Sequence, residues 1–437
     1  MSLPKMNQTD DLKMYKGVTL GGCHTVEDIL GEGTFGVVVK CRNTETNTMV
    51  AIKVFKNYQN SVNDAKEEIS ILKKLWRLDP DKCNIVRWDG FFFHKENICL
   101  NFELLDQNLR EFMQRQCAMP IQELGTVVHQ LATALSHMSS MGLVHGDIKP
   151  ENIMVVDRRE QPLRVKLADF GLAKNVSEIV PGDCVQTLWY RAPEVILGVP
   201  FNETVDVWSL GLVAVELATG QPLYPGRSEY DILNFVTNTQ GQPADDVLDR
   251  GKEVGVYFLH EYTGVQRWKL KSPEQFSKET GCQPKDARPL MLSSLDDLQL
   301  VMEDVMGPQR TEHLFVLLVK KMLDLDPDLR VNSQTVLLHP FFNSLTSRSE
   351  NCIDGDTKTI SEAPFQVDSV VPVTSLIQDH PCSSVSENLN ENPLELNTHP
   401  SSSTCLGGLS GRVVAALRKV TGIFTRKFKF YTNSPGS

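Results

Sequence analysis

Between Thr25 and about Phe102 the chain runs in short apolar stretches with a two-residue alternation: Val26 to Leu30, Val37 to Cys41, Met49 to Val54 and Ile98 to Phe102. A period of two in residues rich in Val, Ile and Phe predicts β-strands. One segment departs from it. From Asn63 to Leu75, Ala65, Ile69, Leu72 and Leu75 recur at helical spacing and predict an amphipathic helix. From Leu109 to Phe342 helical periodicity dominates, as in Leu124 to Met138 and Leu314 to Leu323, with Pro and Gly marking the loops. The pattern predicts an α+β protein in two lobes, a small antiparallel sheet with one main helix (about 24–104) and a larger, mainly helical lobe (about 105–342), preceded by a short extension (1–23).

Past Ser344 the pattern stops. Residues 343–408 are rich in Ser, Asn and acidic groups and too poor in apolar area to order themselves, so they are expected to form a disordered tail. In 409–437 a pattern returns: Val413, Leu417, Val420, Phe424 and Phe428 recur at helical spacing, with Arg412, Arg418, Lys419, Arg426 and Lys429 on the other face. Such a basic amphipathic segment suits an anionic membrane surface, a regulatory protein's groove or a localisation signal, or else packs on the folded lobe or stays unfolded.

The 437 residues exceed what one core organises, roughly 250–300. A net charge of -11 argues against a coat for nucleic acid, whose phosphates need clustered Lys and Arg. The ten cysteines show no CxxC pair or metal-ligand spacing, and Cys41 and Cys99 sit inside strand-like runs, which suits a reducing compartment. Met1 to Gly17 lacks the apolar core of a signal peptide, and the apolar stretch Leu210 to Ala218 is short and holds Glu216. The chain is therefore expected to be neither secreted nor membrane-spanning.

Four motifs carry the chemistry. Gly31-Glu32-Gly33-Thr34-Phe35-Gly36-Val37-Val38 lies between two strand runs, where glycines let backbone approach phosphates; a dinucleotide loop would need a helix afterwards, and a strand follows. Val50-Ala51-Ile52-Lys53 places a fixed ammonium in the next strand, with Glu68 or Glu67 on the intervening helix as its partner. His145-Gly146-Asp147-Ile148-Lys149-Pro150-Glu151-Asn152 precedes Ala168-Asp169-Phe170-Gly171: Asp147 is placed to accept a hydroxyl proton, Lys149 to offset charge on a transferred phosphate, and Asn152 and Asp169 to hold magnesium. Trp189-Tyr190-Arg191-Ala192-Pro193-Glu194, Asp206-Val207-Trp208-Ser209-Leu210-Gly211 and Arg330 complete the set.

Together these residues, from about Thr25 to Phe342, resemble the protein-kinase signature set. The resemblance implies a two-lobed kinase fold that moves the γ-phosphoryl group of ATP, with Mg2+, onto Ser or Thr of protein substrates. It implies catalytic roles for Asp147 and Lys149 and metal ligation by Asn152 and Asp169. Nucleotide contacts fall to Leu30, Gly31, Glu32, Gly33, Thr34, Phe35, Gly36, Val37, Val38, Ala51, Lys53 and, in preference to Glu67, Glu68. It pairs Glu194 with Arg330 and brings Thr187 near Asp147 and Lys149. Two rivals are a pseudokinase scaffold, at odds with the presence of Lys53, Asp147, Asn152 and Asp169, and a small-molecule phosphotransferase, at odds with Ala192-Pro193-Glu194.

Within kinases the chain is similar to the homeodomain-interacting protein kinases of the dual-specificity tyrosine-regulated group, above all in Pro222 to Gly241. That likeness implies Phe102 as the residue at the back of the adenine pocket, Glu103 and Leu105 on the segment that reads the base, and through Arg191 a preference for proline after the target Ser or Thr. Cys184 stands where the family has its regulatory tyrosine, so tyrosine autophosphorylation is expected to be lost and the enzyme constitutively active or differently restrained. Gly146 replaces the arginine of many regulated kinases, as in the resembled family. A nuclear or cytoplasmic location fits, and partners bound through the family's long flanking regions do not carry over.

Overall fold

The computed structural model describes residues 14–33, 36–56, 59–114, 118–261, 266–285, 288–306 and 311–346. The tail, the basic C-terminal segment, Thr34 and Phe35 lie outside the described residues.

The amino-terminal lobe is one sheet of β1 (Thr19–Leu20), β2 (His24–Glu32), β3 (Gly36–Asn43), β4 (Met49–Phe55), β5 (Trp88–His94) and β6 (Asn97–Glu103), antiparallel throughout in the order β1-β2-β3-β4-β6-β5. The alternation seen in the sequence becomes two faces. Val37, Val39, Val50, Ile52, Val54 and Cys99 fill a small core on one side. Val38 and Leu100 pair across Lys53, and Phe102 pairs across Ala51, so these side chains share the other face. Burial pushes the Cys41 and Cys99 thiols up to about 12, which makes them structural and unreactive.

Helix α1 (Gln59–Leu75) starts four residues before the expected boundary and buries Ala65, Glu68, Ile69, Leu72 and Leu75. Strand β5 escaped the pattern. Its Phe91-Phe92-Phe93 run does not alternate, and Gly90, at φ 106°, sits at a register irregularity against β6.

The carboxy-terminal lobe contains α2 (Leu109–Met113), α3 (Ile121–Ser140), α4 (Pro193–Ile196), α5 (Thr204–Thr219) and α6 (Glu229–Gln240), followed by shorter helices to Pro340–Thr346. All residues of α5 are buried, as expected of a helix apolar on every side. Its Leu210–Ala218 stretch is the middle of the lobe's core, and among the described residues no helix is long and apolar enough to cross a membrane. Short strands frame the segment that carries Asp147 and Asn152: β7 (Gln107–Asn108) pairs with β9 (Ile153–Val155), which pairs with β10 (Val165–Leu167), while β8 (Leu143–Val144) pairs with β11 (Lys174–Asn175).

Candidate active site

A cleft of about 1030 Å³ is lined by Gly31, Gly33, Val38 and Lys53 on one side and Lys149, Asn152 and Asp169 on the other. Lys53 reaches it because β4 alternates, and its register with β3 and β6 fixes the face. Its Nζ donates to both Glu68 oxygens at 3.0 and 2.8 Å and to Asp169 Oδ1 at 2.7 Å. Glu67, one position earlier on α1, is exposed, whereas Glu68 is 1% exposed. Burial alone would pull the Lys53 ammonium down, but the two carboxylates hold it above its usual range. Burial pulls the Glu68 carboxyl upward, yet both of its oxygens lie at hydrogen-bond distance from Nζ, and we take the pair as charged.

Asp169 has φ 61°, a left-handed conformation that costs a non-glycine residue about 1–3 kcal/mol and clusters at functional sites. The turn drives Phe170 into the core, its ring 5.2 Å from that of His145, while the Asp169 carboxylate stays 45% exposed. Partial desolvation in the cleft would raise the Asp169 carboxyl, but Lys53 more than offsets this and holds it below its usual value.

The segment that carries Asp147 hangs from α5. Asp206 Oδ2 accepts the His145 backbone N–H at 2.6 Å and Oδ1 that of Gly146 at 2.9 Å. Gly146 sits at φ 72°, and a Cβ there would lie 3.0 Å from the Leu172 carbonyl, so a glycine fits this backbone without the strain that a larger residue would carry. The Asp147 carboxylate then has a full set of neighbours. Oδ2 accepts from Lys149 Nζ at 2.7 Å and Asn152 Nδ2 at 2.9 Å, and Oδ1 accepts from the Thr187 hydroxyl at 2.7 Å. Lys149 Nζ also donates to Thr187 Oγ1 at 2.9 Å.

The chemistry of the donor set suits a magnesium ion bound with a nucleotide. Asn152 spends its amide nitrogen on Asp147, which leaves its oxygen as the ligand atom, and Asp169 retains Oδ2 beside the oxygen held by Lys53. Gly31 and Gly33 have open space where a Cβ would stand, so backbone there is accessible to a phosphate chain. Gly36 is a glycine for another reason: a Cβ would come within 2.1 Å of the Val54 carbonyl of β4.

Other expected nucleotide contacts are dispersed. Leu30 is 49% exposed, Glu32 pairs with Lys56 at 2.7 Å, and Val37 points into the small core on the opposite face of the sheet. Glu103 turns its carboxylate, through Oε1, to the Arg87 N–H (2.6 Å) and Lys166 Nζ (2.7 Å). Leu105 is half-buried against the main core.

The peptide-side wall is braced from below. Glu194 on α4 and Arg330 form a fully buried bidentate pair, with Arg330 Nη2 2.9 Å from Glu194 Oε2 and its guanidinium 5.0 Å from the Trp208 ring. Removing one member of such a pair costs roughly 3–5 kcal/mol. Above it, Gln186 is at φ 69° and its carbonyl accepts from Arg191 Nη2 at 2.9 Å and Nε at 3.3 Å. Arg191 also pairs with Glu229 at 2.6 Å and lies 3.7 Å from Cys184 Sγ. Asp183 accepts from Lys174 Nζ and the Val180 N–H, both at 3.1 Å.

Sequence spacing did not reveal the Asp206 clamp, the Arg191–Glu229 pair or a cluster of Arg110, Glu151, Tyr190 and Glu216. Their bonded members lie 26 to 106 residues apart, as in Tyr190 with Glu216 and Arg110 with Glu216, and only the fold joins them.

The protein kinase domain family model matches residues 24–342. Homeodomain-interacting protein kinase 2 of Mus musculus is 42% identical over 328 residues, covering 73% of this chain and 27% of that protein. Homeodomain-interacting protein kinase 1 of Caenorhabditis elegans is 39% identical over 330 residues (71% and 39%), and homeodomain-interacting protein kinase 4 of Homo sapiens is 38% identical over 347 residues (75% and 56%). The chain thus spans from about a quarter to just over half the length of these relatives. With the match extending over the whole of both lobes, the chain belongs to the protein kinase family, and its domain is similar to those of the homeodomain-interacting protein kinases.

Proposed function

We propose that the chain transfers the γ-phosphoryl group of ATP to Ser or Thr of protein substrates. The observation that carries the reading is the Thr187 hydroxyl donating to Asp147 Oδ1 at 2.7 Å, with Lys149 bonded to both residues. A substrate hydroxyl in that position would have its proton on a carboxylate already oriented by Asn152, with the lysine ammonium beside the oxygen. Asn152 and Asp169 would hold magnesium, which supplies charge neutralisation at the phosphates when bound. Lys53, fixed by Glu68, is suited to the phosphate chain, and Gly31 and Gly33 to its backbone cradle. No contact favours the scaffold alternative, because the Lys53–Glu68 pair is closed and Asp169 is engaged.

A preference for proline after the acceptor is part of the proposal. The Gln186 carbonyl is occupied by Arg191, so it cannot accept a substrate N–H, and proline has no N–H to leave unsatisfied. The activation segment, tied by Asp183 to Lys174 and by Arg191 to Gln186, is proposed to hold its shape without a phosphotyrosine at Cys184. The basic C-terminal segment is proposed as a contact for a membrane surface or regulatory protein, and the location as nuclear or cytoplasmic.

The test is transfer from radiolabelled ATP to matched Ser-Pro and Ser-Ala peptides, by the full chain and by Asp147→Asn. Transfer that vanishes in Asp147→Asn and favours Ser-Pro is expected. ATP binding with no transfer by either protein would overturn the catalytic reading, and equal rates on the two peptides would overturn the proline preference.

A further inference from the structure

Beside the acceptor position the cleft is lined by Arg110, Glu151 and Tyr190, none of which touches Asp147 or Lys53. Arg110 comes from α2, Glu151 from the turn after Lys149, and Glu216 from α5 beneath them. Arg110 Nε donates to Glu151 Oε1 at 2.9 Å, Nη1 to Glu216 Oε1, and Nη2 to the Tyr190 hydroxyl at 2.7 Å. That hydroxyl donates in turn to Glu216 Oε2 at 2.6 Å. Glu216 is buried, while the side chains of Arg110 and Glu151 are 30% and 43% exposed to the cleft.

Two carboxylates facing a protein-binding cleft would form a receptor for a guanidinium, since its planar fork matches carboxylate geometry. Here the fork is supplied from within. Arg110 reduces the pair's charge from -2 to -1 and takes one oxygen of each carboxylate, Glu151 Oε1 and Glu216 Oε1, while the Tyr190 hydroxyl takes Glu216 Oε2. A second guanidinium would also have to lie against the first, a like-charge contact of the kind that rejects partners.

We propose that Arg110 is a specificity-determining residue: it occupies the Glu151–Glu216 carboxylate pair in place of a substrate arginine, so that acceptor peptides with uncharged flanks are used and basic flanks bring no advantage. This rests on the kinase reading above. The geometry also predicts which change would reverse the selection, because taking away the internal cation leaves Glu151 facing the cleft as a free anion.

The experiment compares kcat/KM for a neutral Ser-Pro peptide with a set carrying one arginine at each flanking position, using wild type, Arg110→Gln and Arg110→Gln/Glu151→Gln. In wild type no arginine peptide should exceed the neutral parent. In Arg110→Gln one position should gain about tenfold, the scale of a charge-assisted hydrogen bond, and the gain should vanish in the double variant. If Arg110→Gln does not fold, Arg110→Lys keeps the cation without the fork, and a smaller gain of the same sign is expected. Wild type that already favours an arginine, with that preference lost in Glu151→Gln, would overturn the proposal. So would a folded Arg110→Gln or Arg110→Lys with no gain at any position. Failure of wild type to phosphorylate even the neutral peptide would instead refute the kinase reading, and this proposal with it.

Discussion

Lys53 has carboxylate partners on both sides of the cleft, Glu68 from α1 and Asp169 from the segment after β10. Its position therefore depends on two charges, of which only Glu68 is buried in the amino-terminal lobe. Glu68→Gln keeps the side-chain shape but removes that charge, and Lys53 is then drawn to Asp169 alone. Catalytic efficiency with ATP is expected to fall on the order of 10²-fold, the usual consequence of a misplaced charged group, while the melting temperature changes little. Steady-state kinetics at saturating peptide would check this, and wild-type efficiency would sink it. Most of this residue-scale chemistry was legible in the chain, because Lys53, Asp147, Asn152 and Asp169 lie in contiguous motifs. The choice of Glu68 over Glu67 rested on the helix phase, and the burial of Val37 in the small core, away from the cleft, needed the strand's face.

At the scale of elements, the segment from Val180 to Tyr190 is held by polar contacts of its own. Asp183 engages Lys174 of β11, Gln186 donates its side-chain amide to the Val205 carbonyl and Ser209 at 2.8 Å each, and Thr187 sits on Asp147. The one tyrosine within it, Tyr190, is buried, with its hydroxyl between Arg110 and Glu216. Protein treated with a tyrosine phosphatase is thus expected to retain its full rate. Mass spectrometry that found phosphotyrosine in this segment, together with loss of activity on its removal, would show that the polar contacts are insufficient. The sequence marked this segment by its cysteine but gave no sign of the contacts that hold it, since Lys174 and Asp183 look like ordinary surface charges until β11 and the loop are brought together. Strand β5 was hidden for a related reason: a continuous aromatic run beside a bulge has no period to detect.

For the whole molecule, acid is the informative stress. Burial lowers His24, His94, His129, His145 and His339 below the ordinary histidine value, so the native state keeps them neutral where the unfolded chain takes up protons. Their contribution to stability is complete above about pH 6.5 and is lost as the pH falls below it. Asp206 acts in the opposite sense, because burial pushes its carboxyl up to about 7 against two backbone donors, so it binds a proton in the native state first. The buried Glu68 carboxyl, also raised, acts with Asp206; with the histidines dominant, the melting temperature at pH 5.5 should lie below that at pH 7.5 at equal ionic strength, and the reverse order would show that the buried carboxyls dominate. The two-lobed plan itself was plain from the change of period near residue 105, whereas the burial of α5 on all sides was not, because a short apolar run reads the same in a core or elsewhere. That helix supports the His145 and Gly146 backbone through Asp206 and the peptide-side wall through Glu216. Trimming an apolar residue between them, such as Leu210→Ala at a cost of roughly 2–5 kcal/mol, touches no reacting atom yet loosens both supports together. Helix α5 is accordingly where a geneticist should look for conditional alleles, with the protein's activity intact in the cold and lost on warming.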